Sequence, residues 1–179
     1  MDSLLLAAHG SMYMLAAYFG AQTYAISQSF TVAVVAAVVL TFVSGLVIDK
    51  LCLQSMYDRG HLDHVLVTFG LTLFFNEGVR IVWGASALNF PTPAALGDPV
   101  TLAPGFTYPA YRLFIIAVGG AVAAGLYYVI THTRVGMVIR AAATNRTMTS
   151  AMGTNVTLLS TLVFAAGSAL AGLAGVIAA

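Results

Sequence analysis

Long apolar runs separated by short polar stretches decide what this chain of 179 residues can fold into. The clearest, Phe30 to Ile48, reads FTVAVVAAVVLTFVSGLVI and carries no charge. An α-helix needs about 20 apolar residues to cross the hydrocarbon core of a bilayer, whereas barrel strands alternate in segments of about ten. Hydrophobic residues make up 60% of the chain and charged residues 7%. Soluble domains carry about 25% charged residues, so this chain cannot cover a water-facing surface. The expectation is an all-α, polytopic transmembrane helical bundle of about five spans, a single transmembrane domain over residues 1–179. The net charge of +1 gives no electrostatic footprint for nucleic acid. Cys52, the single cysteine, excludes an internal disulfide and a Cys-rich metal site.

The start, MDSLLLAAHGSMYML, lacks the basic region of a signal peptide, and His9 and Gly10 break its apolar run. The first span, about Leu4 to Tyr24, is the most polar: it holds His9, Ser11, Gln22 and three tyrosines. Such a helix should face protein or a water-filled path. The second, Phe30 to Ile48, reads as the lipid-facing one. Asp49 to His64 is a polar connector with Lys50 and Arg59. The third, Val65 to Trp83, ends with Asn76, Glu77 and Arg80, and Trp83 falls where an interfacial aromatic belongs. Gly84 to Pro109 holds all five prolines and should be a long non-helical loop. Tyr111 to Ile130 and Leu158 to Ala179 complete the set. The last is apolar to its final residue, which points to a piece of a longer chain.

The connectors at 49–64 and 131–157 hold Lys50, Arg59, Arg134, Arg140 and Arg146, and the loop at 84–110 holds no Lys or Arg. The positive-inside rule makes both connectors cytoplasmic and the Pro-rich loop external. Ala121 with Gly125, and Gly167, Ala171 and Gly175, are spaced four apart, as close packing of helices in lipid requires.

The polar stretch 131–156, THTRVGMVIRAAATNRTMTSAMGTNV, contains three arginines and no Asp or Glu. It has strong helix formers and no Pro, so it should be helical. On one continuous helix Met137, Ala141, Met148, Ala151 and Met152 would share a soft face. A basic, partly amphipathic helix between spans should lie on the cytoplasmic surface and dock a soluble partner in a groove.

Few residues invite chemistry. His61 and His64 lie three apart with Asp63 between them, where zinc sites on helices favour a spacing of about four, and no further His or Cys completes a set. A solvated connector, with Asp58 or Asp63 capping the next helix, is the expectation, with no metal site. Glu77 and Arg80 share a helix face, either as an ion pair anchoring the span or on a polar path. His9 and Tyr13 pose the same alternative. Together with Asn76 these residues are the candidates for a translocation path. No nucleophile motif, paired carboxylates, phosphate-binding lysine loop or dinucleotide fingerprint is present, so catalytic residues are not expected.

The segment TRVGMVIRAAATNRTMTSAMGTNV, followed by FAAGSALAGLAGVIAA, closely resembles the permease subunits of bacterial branched-chain amino-acid ATP-binding cassette (ABC) importers. Thr133, Arg134, Gly136, Arg140, Ala141, Asn145, Arg146, Gly153, Asn155 and Ala171 to Val176 carry the pattern. AHGSMYMLAAY and YDRGHLDHVLVTFGLTLFFNEGVRIVWG fit the family's early span and its connector with the following span. The resemblance implies a multi-pass protein of the bacterial inner membrane, with no cofactor of its own. Its implied partners are cytoplasmic ATPase subunits, a second permease subunit, an external (periplasmic) solute-binding protein and membrane lipid. It further implies that 131–156 is the coupling segment seated on the ATPase, with Arg134, Gly136, Met137, Arg140, Ala141, Asn145, Arg146, Met148 and Gly153 as coupling residues. Arg140 precedes Ala141 and Ala142 where the general importer signature has Glu, and Gly153 lies farther along than its Gly. Family members are longer at both ends. A urea or short-chain amide permease of the same architecture is an alternative. An ion-coupled secondary transporter is another, but Glu77, beside Arg80, is the one acidic residue inside an expected span.

Overall fold

The computed structural model describes residues 2–53, 61–84, 99–103 and 106–178. Those residues form seven α-helices and one short hairpin, divided between two compact units. The first unit takes residues 1–90 and 161–179, the second 91–160.

In the first unit, α1 (Asp2–Ser27) turns into α2 (Phe30–Ile48) through Gln28, whose φ of 52° reverses the chain. After α2 the chain winds one wider, π-helical turn, Asp49–Leu53. Helix α3 (His61–Trp83) follows, and the unit closes with the larger part of α7 (Val156–Ala178). Four helices among the described residues are long and apolar enough to cross a membrane: α2 extended to Leu51, α3 from Val65, α4 (Ala110–His132) and α7. The polar first span forms a helix of 26 residues but is not among those four.

Helix α2 is not simply lipid-facing. It buries Ala33, Ala37, Thr41 and Gly45, one every four residues, on a single stripe. A Cβ on Gly45 would stand 2.7 Å from the Ser168 hydroxyl and 3.2 Å from the Ala165 Cα on α7. A Cβ on Gly172 would stand 2.8 Å from the Thr41 hydroxyl, and one on Gly175 would strike the backbone carbonyl of Tyr13 on α1. Lipid tails solvate apolar side chains as well as protein does, so helices associate through close contact rather than through water exclusion. The two hydroxyls at these contacts are satisfied inside their own helices: Thr41 donates to the Ala37 carbonyl at 2.6 Å and Ser168 to the Phe164 carbonyl at 3.0 Å.

The contact stripe on α7 runs through Ala165, Ser168, Gly172, Gly175 and Val176; of the expected series Gly175 lies on it, while Gly167 and Ala171 are only part buried. Two further expectations shift. Asp49, read as the start of a polar connector, is fully buried. Helix α3 begins at His61, so Asp63, itself exposed, lies inside its first turn, where a negative charge suits the helix dipole. The side chains of His61, His64 and Cys52 lie outside the described residues, as does Asp58.

In the second unit the Pro-rich loop contains a hairpin. Strand β1 (Pro99–Ala103) pairs antiparallel with β2 (Phe106–Pro109), Val100 opposite Tyr108, with Pro99 and Pro109 at the open end. Pro at strand ends removes no internal ladder bond, so the loop accommodates both. Helices α4, α5 (Arg134–Thr144), α6 (Arg146–Ala151) and the first residues of α7 complete this unit. Gly125 on α4 has no atom within 4 Å of an added Cβ, so the expected close contact at Ala121 and Gly125 is not made there.

The contrast between these glycines is testable. Replacing Gly175 with Ala sets a methyl against backbone that cannot yield, and should cost about 1–3 kcal/mol. It should be read as a lower midpoint of thermal unfolding in detergent. Gly125→Ala should leave that midpoint within about 0.5 kcal/mol of the parent.

Candidate functional site

The acid-free stretch between α4 and α7 is shaped by three caps in succession. Thr133, in extended backbone with φ −109° and ψ 159°, ends α4 and opens α5. Its hydroxyl donates to the Val129 carbonyl at 2.6 Å and accepts from the Gly136 N–H at 3.2 Å. Helix α5 then folds back so closely on the end of α4 that a Cβ at Gly136 would run into the carbonyl oxygens of Val129 and Ile130. The Arg140 guanidinium donates to the same Ile130 carbonyl. A cation there satisfies an orphan acceptor and complements the negative end of the α4 dipole.

Asn145 is the second cap. Its backbone is extended (φ −150°, ψ 99°), and its side-chain oxygen accepts from the Met148 N–H at 3.0 Å to start α6. Gly153 ends that turn at φ +85°, a conformation in which a side chain would be strained. Asn155 is the third cap: its side-chain oxygen accepts from the Leu158 N–H at 3.0 Å and begins α7.

The segment is therefore two short helices, not the single continuous one expected. Asn145, like Ser, Asp or Thr, competes for nearby backbone N–H groups and favours a cap over a helix interior. The break removes the one-sided register drawn through Met137, Ala141, Met148, Ala151 and Met152. All five are nonetheless exposed, the three methionines at 61%, 67% and 86%. Gly136, Arg140, Asn145 and Gly153 set the shape of the segment. Arg134, Met137, Ala141, Arg146 and Met148 present an exposed surface.

The candidates for a path are placed differently. Arg80 and Glu77 pair with each other at 3.5 Å across one helical turn, both well exposed. Tyr13 meets α7 through its backbone carbonyl, with its side chain part exposed, and Asn76 is half-buried. The side chain of His9 lies outside the described residues. Trp83 is a clasp between helices as well as an expected interfacial residue: its ring lies 5.7 Å from Tyr18 and 5.9 Å from Phe19, and its indole N–H donates to Gln22 at 3.3 Å.

One polar group escaped the sequence reading. Asp49 accepts a hydrogen bond from the Thr161 hydroxyl at 2.5 Å, with both side chains buried. The signal was present, since Asp49 falls four residues after Gly45 and continues the stripe of Ala33, Ala37, Thr41 and Gly45.

Asn145→Ala should loosen α6 by about 1 kcal/mol through loss of its cap. The expected sign is faster amide hydrogen exchange at Met148, with exchange in the middle of α4 unchanged.

Comparison with known proteins places these elements in context. Residues 7–179 match the family model described as branched-chain amino acid transport system / permease component. The chain is 25% identical over 181 residues to the high-affinity branched-chain amino acid transport system permease protein BraD of Pseudomonas aeruginosa. The alignment takes in 95% of this chain and 59% of that protein, so the chain spans about three fifths of the relative's length. No solved structure matches the chain.

Proposed function

The chain belongs to the family of branched-chain amino acid transport system permease components, and we propose that it is the membrane-spanning subunit of an ABC importer for branched-chain or closely related amino acids. It is a multi-pass protein of the inner membrane, and its family is one of transport permeases rather than enzymes. In the proposed assembly two permease subunits form the path, two cytoplasmic ATPases bind and hydrolyse ATP, and an external solute-binding protein delivers substrate.

The observation that carries this reading is the α5–α6 segment. It has no acidic residue, exposes Met137, Met148 and Met152, and is held in shape by Thr133, Gly136, Asn145 and Gly153. Thioether side chains adapt to a groove, and basic groups steer a complementary surface towards it. A segment prefolded by its own caps docks with little loss of conformational freedom. In the mechanism, ATP-driven closure of the ATPases pushes α5 and α6, and α4 and α7 carry the displacement into the membrane. Selectivity rests largely with the external binding protein, which agrees with the scarcity of charge within the spans.

Cysteine cross-linking to the ATPase encoded beside this chain tests the reading. Cys52 is first changed to Ser, and single cysteines replace Met137, Arg140, Met148 and Met152. ATP-sensitive links are expected at the three methionine positions, and weaker ones at Arg140, which turns back onto α4. If the inserted protein gives no link at any position with the ATPase present, the coupling assignment is wrong.

A further inference from the structure

A buried carboxylate in a membrane protein is expensive unless hydrogen bonds hold it. Asp49 is such a group, fully buried where α2 passes into its π-helical turn. Its backbone N–H is shared between the carbonyls of Gly45 and Leu46, a three-centre bond common at helix ends. Thr161 supplies a hydrogen bond to it from α7 at 2.5 Å.

Packing alone does not require this bond. Gly45 against Ser168 and Gly172 against Thr41 already bring α2 and α7 into contact, and an apolar residue at position 49 would be cheaper to bury. What the polar pair adds is a fixed register between the helices at one end of their seam. Its place in the chain gives that register a use. Thr161 lies in the second turn of α7, and α7 starts at the Asn155 cap directly after α6 and Gly153. A helix is stiff over this distance, so a displacement at Asn155 moves Thr161 with it. On the other side of the bond, π-helical turns recur at functional sites, and this one follows α2 directly.

We propose that Asp49 is a positioning residue of the transport cycle, tying α2 to the first turns of α7 so that movement delivered through α5 and α6 reaches the transmembrane seam. The inference rests on the reading of α5–α6 as the ATPase-coupling segment. It goes beyond that reading by naming α2, rather than α4 and α7 alone, as the receiving element.

The test uses the complete importer in liposomes, with its ATPases and binding protein, and measures labelled leucine moved per ATP hydrolysed. Thr161→Val keeps the shape and removes the donor. It should hydrolyse ATP at the parental rate yet move about tenfold less leucine per ATP, a factor within reach of one buried hydrogen bond. Asp49→Asn still offers an amide oxygen to Thr161 and should be affected less. Thr161→Ser keeps the donor and should restore the ratio. The inference is overturned if Thr161→Val leaves the ratio unchanged. It is equally overturned if transport and hydrolysis fall together with loss of the assembled complex in gel filtration, since the bond would then only stabilise. Parental importer that moves no leucine with ATP would sink the proposed function, and this inference with it. Coupled parental transport beside unaffected variants would remove the inference alone.

Discussion

Backbone contact at glycine holds the first unit together. Gly175 lies against the Tyr13 carbonyl, Gly45 against Ala165 and Ser168, and Gly172 against Thr41. Around these contacts much of the apolar surface stays open, including Val32, Val35, Val39 and Val43 on α2 and Leu66, Phe69 and Phe74 on α3. In water such exposure would drive collapse, but in lipid it is neutral, and only close dispersion contact favours one arrangement over another. Hydroxyls make the contacts possible because they are silenced within their own helices. Thr41, Ser44, Thr72, Ser160 and Ser168 each donate to the carbonyl four residues back. None of them asks a neighbouring helix for a partner. Thr161 is different, because its hydroxyl crosses to Asp49.

The second unit uses a different principle. Its polar segment is shaped by caps and by one close approach, at Gly136, rather than by a buried apolar face. Local hydrogen bonds of this kind fix direction while leaving side chains outward. That combination is consistent with the proposed docking role: the backbone is determined by the segment's own hydrogen bonds, and the methionines remain exposed.

The helices of this fold were legible because their signal is long and simple. Phe30–Ile48 is a helix with the expected bounds, and the other apolar runs are helices within a few residues of theirs. Hydropathy reports how much of a segment avoids water, but in a membrane it does not report which face meets protein. That is why α2 reads as lipid-facing and why the series expected on α7 meets the real stripe only at Gly175. The Asn145 break was missed because helix propensity was summed across a residue whose side chain prefers to cap. Asp49 was missed because a charge at the end of an apolar run is ordinarily a boundary marker. Its spacing from Gly45 could have placed it on the buried stripe. Among the proposed coupling residues, composition could not separate those that shape the segment, such as Gly136 and Asn145, from those that face outward.

The crossing of α2 and α7 has a consequence for how these helices can change over time. Thr41 fills the space that Gly172 leaves, and Ser168 fills the space that Gly45 leaves. The volume at each crossing therefore belongs to the pair and not to either position. A methyl gained on one helix has to be given up on the other. Each helix thus carries half of a fit whose other half lies on its neighbour.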